Sequence, residues 1–120
     1  MQFLVTVTMD PLATSPAGLR SAMTDLVEHE LTTGGFAVSG GLASHPDGVR
    51  VELSPSGVIE SEASLPIHGF AVVDSPSLEQ ATEVATRMVR LHQEYVPDWG
   101  GSCEVRPIVT HCLPLSLIHI

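Results

Sequence analysis

His68 is the side chain whose place in the sequence points most directly to chemistry. It opens the apolar stretch HGFAVVD and follows closely on the carboxylate of Glu62. An imidazole titrates near neutral pH, and beside a carboxylate it can accept and return a proton during a reaction. We therefore treat His68 and Glu62 as a candidate catalytic pair. The alternative is that His68 only satisfies a backbone group at the end of a strand.

Two arginines are candidates for holding an anionic ligand. Arg50 lies in the alternating segment VRVEL and Arg106 in the segment CEVRPIV, each on the face opposite its valine neighbours. A guanidinium can bind a carboxylate or a phosphate through two parallel hydrogen bonds. The alternative is an ion pair with a nearby glutamate, Glu52 for the first arginine and Glu104 for the second.

No familiar catalytic or metal-binding template accompanies these residues. The patterns G-x-S-x-G, H-E-x-x-H and G-x-G-x-x-G do not occur in the sequence. His45 and Asp47 lie in a turn and are too few ligands for a metal. Cys103 has no basic neighbour in sequence that would lower its pKa, so we expect an inert core thiol. The sequence therefore predicts no metal and no cofactor.

The composition is that of one acidic domain. The chain has 120 residues, with 14 acidic side chains against five basic ones and a formal net charge of -9. Nucleic-acid binders need a basic face that releases counterions, so this class is excluded. The apolar segment FLVTVTM is too short for a membrane span, and two cysteines are too few for a disulfide scaffold. We expect a cytoplasmic protein without nucleic-acid or membrane partners.

Hydrophobic periodicity assigns the candidate residues to strands and helices. Alternation predicts a strand over 3–9, and apolar stripes at spacings of three and four predict helices between Pro16 and Gly34 and from Ser77 to about His92. The stretch 68–74 is apolar enough for a central strand. A last strand follows over 103–109, where Pro107 indicates an edge position.

The middle of the chain is expected to contain a hairpin. Segments 36–40 and 49–53 are separated by a turn, His45-Pro46-Asp47-Gly48, and we expect them to pair. The polar segment 58–64 fits either a short strand or an ordered loop. The order of elements is then β-α-β-β-β-α-β, which predicts an α+β fold of the ferredoxin-like split βαβ type with both helices on one face of an antiparallel sheet.

The other face of such a sheet would still carry apolar side chains. A second copy of the chain could bury them if the two sheets closed face to face around a twofold axis. We therefore expect a homodimer that forms an α/β barrel.

Several segments resemble the YCII-related family of small dimeric α/β-barrel proteins, in particular its branch named for an Asp-Gly-Pro-Phe motif. The resemblance rests on GGFAVSGGL with VRVEL, on HGFAVVDSPSLEQATEVATRMV, and on LHQEYVPDWGGSCEVRPI. It covers residues 1–109, which we take as one YCII-related domain. It implies the dimeric barrel fold, and it leaves the activity unassigned.

The chain departs from this family at the positions that the resemblance would make functional. Where the named motif is expected, the sequence reads Gly57-Val58-Ile59-Glu60-Ser61-Glu62, with only Glu62 at an acidic position. Founding members carry a helix-one histidine paired with an aspartate, but Met23 occupies the matching position here, and Asp47 is a weak match for the partner. The family's acid/base pair is therefore not carried over.

Residues 110–120, THCLPLSLIHI, extend beyond the resemblance. They fit either an extra strand that exchanges with the partner or a foreign tail, and we favour the tail.

Two functions remain open at this stage. The first is a dimeric YCII-related domain that binds a small anionic or aromatic metabolite or a regulatory protein. The second is a cofactor-free acid/base enzyme of lyase, isomerase or dehalogenase type, which would use His68 and Glu62 and an arginine that stabilises a developing anion.

Overall fold

The computed structural model describes residues 1–8 and 16–109. Its elements follow the order β1 (Gln2–Thr8), α1 (Ala17–Thr33), β2 (Phe36–Gly41), a short 3-10 turn (His45–Asp47), β3 (Val49–Ser54), β4 (Gly57–Glu62), β5 (Ile67–Asp74), α2 (Leu78–Tyr95) and β6 (Ser102–Pro107). The tail 110–120, including Cys112, lies outside the described residues, so its interpretation stays a prediction.

A four-stranded antiparallel sheet forms the centre of the fold, with the strand order β2-β5-β1-β6. The predicted α+β class is confirmed, and the strand order is compatible with a ferredoxin-like fold. The central position of β5 and the edge position of β6 also agree with the sequence. Because Pro107 has no N–H to donate, the end of an edge strand is a place where it costs little.

Both helices contribute to one hydrophobic core against the sheet. Along β1, Phe3, Val5 and Val7 are buried, while Leu4 is 36% exposed on the opposite face. This alternation follows from the two-residue period of a strand. The remaining buried members of the core come from β2, β5 and α2: Phe36, Ala71, Val73, Ala81, Ala85 and Met88.

The helices begin and end where local chemistry favours it. Gly34 ends α1 with a φ of 84°, a left-handed conformation that costs glycine no steric strain. At the start of α2, the Ser77 hydroxyl accepts a hydrogen bond from the Gln80 N–H at 3.2 Å. Among the described residues, no helix is long and apolar enough to cross a membrane.

The predicted hairpin between 36–40 and 49–53 is wrong. Segment 49–53 lies in β3, which pairs with β4, whereas β2 pairs with β5. The physical reason is the tight turn between Ser54 and Gly57, which pair with each other. The chain reverses at this turn, so β4, and not β2, becomes the neighbour of β3. The segment left open between strand and loop is therefore a strand over Gly57–Glu62. The β3–β4 hairpin forms a separate two-stranded sheet.

Candidate functional site

A cavity of about 480 Å³ lies between α1, the C-terminal half of α2 and the adjoining ends of β2 and β5. We call it the histidine cavity because it is lined by His68 and His92. Its apolar lining includes Val7, Leu19, Met23, Val27, Phe70 and Met88. A mostly apolar cavity with a few polar groups is the usual form of a small-molecule site.

His92 lies on the buried face of α2 and lines the cavity. It continues the spacing of Ala81, Ala85 and Met88, and only 2% of its surface is exposed. Its Nδ1 lies 2.7 Å from the carbonyl oxygen of Met88. Because a carbonyl can only accept a hydrogen bond, Nδ1 carries the proton. In the neutral ring, Nε2 is then left as a hydrogen-bond acceptor.

An irregularity in the sheet turns His68 toward the same cavity. β1 and β5 shift register where Val7 pairs with Gly69 and Thr8 with Ile67, so His68 has no partner residue in β1. Its ring meets that of His92 edge to face, with 5.8 Å between the ring centroids. Its Nδ1 is buried and has no hydrogen-bond partner among the described residues. An unpartnered buried nitrogen is free for a ligand.

Burial holds the pKa of His68 below its ordinary value of 6.5. Desolvation is the largest cause, and the neighbouring charge of His92 acts in the same direction, while the nearby backbone carbonyl of Val7 acts in the opposite one. At neutral pH His68 is therefore an uncharged imidazole that can donate or accept a hydrogen bond.

Trp99 packs on His92, so that the rings of His68, His92 and Trp99 form one cluster. Its indole stacks on the imidazole with 4.5 Å between the ring centroids and 30° between the planes. A side chain at position 101 would collide with this indole, so Gly101 gives Trp99 its space. The indole Nε1 is buried without a partner among the described residues. Since the chain has one tryptophan, its fluorescence reports on this cluster alone.

Two charged side chains of α1, Arg20 and Glu28, also line the histidine cavity. Both are exposed residues of the helix and so form its solvent side. Their opposite charges largely offset each other. The cavity thus combines an apolar wall, two imidazoles and a rim that is close to neutral.

The residues predicted from sequence are dispersed over the structure. His68 lies in the histidine cavity, whereas Glu62 is exposed at the end of β4 and is not part of that lining. Arg50 forms an ion pair with Glu52 at 2.7 Å and a hydrogen bond with Ser64, which is the ion-pair alternative stated above.

Arg106 is exposed on β6, and it makes no ion pair or hydrogen bond through its side chain within residues 1–8 and 16–109. It does not line the histidine cavity. The structure therefore places His68 apart from the other three candidates, and the second titratable group near it is His92.

Each of two further cavities contains an arginine that is already engaged, although Arg90, which also lines the first of them, has no ion pair in the described part of the chain. One, of about 560 Å³, contains the ion pair of Glu30 with Arg87, at 2.9 Å. The other, of about 690 Å³, lies at the base of the hairpin and contains Arg50 with its partner Ser64. Neither offers the unpartnered buried nitrogen found in the histidine cavity.

Burial raises the pKa of the Cys103 thiol to about 11. Its thiolate is therefore scarce at neutral pH, and a thiol in this state is a poor nucleophile. This supports the expectation of an inert core thiol.

His92, Arg20 and Glu28 are the titratable cavity residues that the sequence reasoning missed. The available signal was a histidine that continues the apolar spacing of α2 through positions 81, 85 and 88. Such a histidine is enclosed by the core unless a cavity opens beside it.

In comparisons with known proteins, no family model and no curated protein matches the chain.

Proposed function

We propose that the chain is a YCII-related domain that works as a homodimer and binds a small metabolite in the histidine cavity. The observation that carries the ligand site is the buried, unpartnered Nδ1 of His68 in a mostly apolar cavity. A buried polar atom without a partner costs about 1–3 kcal/mol, which a ligand hydrogen bond would offset.

Of the two expected ligand classes, the cavity favours the aromatic one over the anionic one. The lining from Met23, Val27 and Met88 suits a flat apolar body, and the imidazoles suit one hydrogen-bonding substituent on it. An anion would gain from Arg20 but would be repelled by Glu28 at the same rim. We therefore propose an aromatic metabolite that carries a hydroxyl, amide or similar group.

The family assignment and the dimer belong to this proposal. Support comes from the ferredoxin-compatible strand order and from the place of Met23, which the resemblance equates with a functional histidine and which lines the histidine cavity. A regulatory protein partner is the competing expectation. Such a partner would bind a surface and leave the cavity unaffected.

Trp99 fluorescence provides the test. The protein is titrated with benzyl alcohol as an uncharged aromatic probe, benzoate as an anionic aromatic one and acetate as an anion alone. We expect saturable emission changes with the two aromatic probes, with the uncharged one at least equal to benzoate. His68→Ala should weaken binding by about tenfold, since one buried hydrogen bond contributes about 1 kcal/mol or more.

The matched control is His29→Ala, which removes a histidine from the exposed surface of α1. It should leave the titration unchanged. Binding of acetate alone, equal binding by the His68→Ala variant, or no saturable change with any probe would refute the cavity as the ligand site.

A second candidate function, an acid/base enzyme, is favoured by one observation. The lowered pKa of His68 keeps this imidazole unprotonated at neutral pH, as a general base must be. In that case His68 would take a proton from a ligand in the cavity. The predicted partner Glu62 is exposed on the hairpin and does not line this cavity.

The two predicted catalytic residues can be tested separately. With a candidate lyase, isomerase or dehalogenase substrate, His68→Ala should abolish turnover, and Glu62→Gln tests whether the hairpin carboxylate takes part. If the His68→Ala variant retains full turnover, the enzyme hypothesis fails. Unchanged turnover in Glu62→Gln would remove Glu62 from it.

A further inference from the structure

The β3–β4 hairpin carries an apolar face that the described part of its own chain leaves uncovered. Leu53 pairs with Val58, Val51 with Glu60 and Val49 with Glu62, so these six side chains share one face. Leu53 is 82% exposed, Val58 69% and Val51 65%. Two hairpin carboxylates thus flank a continuous apolar strip.

This strip is more than an isolated exposed leucine or valine. A two-stranded hairpin is marginally stable alone in water and gains stability when its apolar face packs on another layer. Here the hairpin forms its own sheet, apart from the four-stranded one. A contiguous apolar face of this kind is typical of an interaction site.

The same chain carries a complementary surface on the open face of its four-stranded sheet. Val72 pairs with Leu4, and Leu4 pairs with Arg106, so these residues form one row across β5, β1 and β6. Leu4 is partly exposed, and the Arg106 side chain has no ion pair within the described residues. The row therefore presents an apolar strip with a cation at its β6 end.

We infer that the β3–β4 hairpin of one copy packs over the β1–β6 half of the open sheet face of a second copy. The strip of Val51 and Leu53 then covers Leu4, and the carboxylates of Glu60 and Glu62 approach Arg106. The inference rests on the proposed homodimer and specifies which surface completes it. The β2–β5 half of each face remains for sheet-to-sheet packing in the barrel.

A second copy is the occupant because each chain holds both halves of the contact. With twofold symmetry, the hairpin of each copy covers the sheet of the other copy. Both hairpin strips and both β1–β6 sheet faces are then buried in the dimer. Charge supports this choice. Each chain has a formal net charge of -9, so its copies repel, and contacts between hairpin carboxylates and Arg106 reduce that repulsion. Glu104 lies two residues from Arg106 on the same face of β6, and its carboxylate offsets part of this attraction.

The most direct test is an isotope-filtered NOE experiment on a mixture of labelled and unlabelled full-length protein. We expect intermolecular contacts from the methyl groups of Val51 and Leu53 to those of Leu4. Intermolecular contacts confined to the sheet residues, with none from the hairpin methyl groups, would overturn the inference and leave the homodimer intact.

Substitutions provide an independent test by sedimentation equilibrium. Leu53→Ser should raise the dimer dissociation constant by about tenfold or more, since interface anchors contribute at least about 1.4 kcal/mol. Arg106→Glu should also raise it, by charge repulsion. Leu78→Ser is the matched control, because Leu78 is half exposed on α2, on the helix side of the sheet.

The outcomes separate the two proposals. A wild-type chain that stays monomeric at all concentrations refutes both the homodimer and the hairpin contact. A stable dimer that Leu53→Ser and Arg106→Glu weaken no more than Leu78→Ser refutes the hairpin contact alone.

Discussion

Arg87→Met tests how α1 is held in place as a wall of the histidine cavity. Of the α1 residues only Leu19 and Glu30 are buried, while Met23, Leu26 and Val27 are partly buried against the core, so a contact of Glu30 contributes noticeably to holding this helix. The Glu30 side chain is 11% exposed, and its Oε1 accepts a hydrogen bond from Arg87 on α2 at 2.9 Å. Removing the guanidinium leaves a buried carboxylate without its donor.

The expected loss is about 1–2 kcal/mol of unfolding free energy. An unsatisfied buried acceptor costs about 1–3 kcal/mol, and the lower half of this range applies because Arg87 is half exposed and water replaces part of its contact. For a domain near 100 residues this lowers the melting temperature by roughly 5–10 °C. Urea unfolding followed by circular dichroism at pH 7 measures the loss.

Two further variants make this prediction specific. Arg90→Met changes the next arginine of α2, which makes no ion pair in the described part of the chain, and it should cost less than about 0.5 kcal/mol. Adding Glu30→Gln to Arg87→Met should recover part of the loss, because a neutral amide is less costly to bury than a carboxylate. Equal losses for Arg87→Met and Arg90→Met would refute the reasoning.

Three more results are expected. Phe3→Ala should cost about 3–5 kcal/mol in urea unfolding, because this ring is fully buried at the centre of the sheet; a loss below 1 kcal/mol would contradict the described core. Since the pKa of folded His68 lies below its ordinary 6.5, the unfolded chain binds more protons between the two values, and stability should fall as pH drops below about 6.5. His68→Phe should flatten this pH dependence and His29→Gln should not. With a pKa of about 11, Cys103 should react with iodoacetamide at pH 8 roughly a hundredfold more slowly than an ordinary thiol, measured in a Cys112→Ser background; an ordinary rate would show that this thiol is not buried.

Local patterns in the sequence were enough to predict the helices and the central strands. The apolar stripe of α2 and the alternation of β1 are repeated over many residues, and Gly34 gives a clear helix end. Such signals depend on residues close in sequence, so a correct assignment needs no knowledge of the partner element.

Strand pairing and the site depended on contacts between distant segments. The turn at Asp47 and Gly48 suggested that β2 and β3 pair, but β2 instead pairs with β5, which is about thirty residues away in the sequence. The Ser39 hydroxyl also donates a hydrogen bond to the Phe70 carbonyl oxygen across this pair. Glu62 is near His68 in sequence, yet it lies on a separate sheet. His92 was missed because its apolar spacing fits a core position equally well.

The most direct test of the ligand site is nitrogen NMR of the imidazole rings, recorded with and without benzyl alcohol. We predict that His92 carries its proton on Nδ1, that His68 is neutral at pH 7, and that both rings shift on addition of the probe while His29 does not. Unchanged His68 and His92 signals at saturating probe, or shifts shared equally by His29, would contradict a ligand site in the histidine cavity.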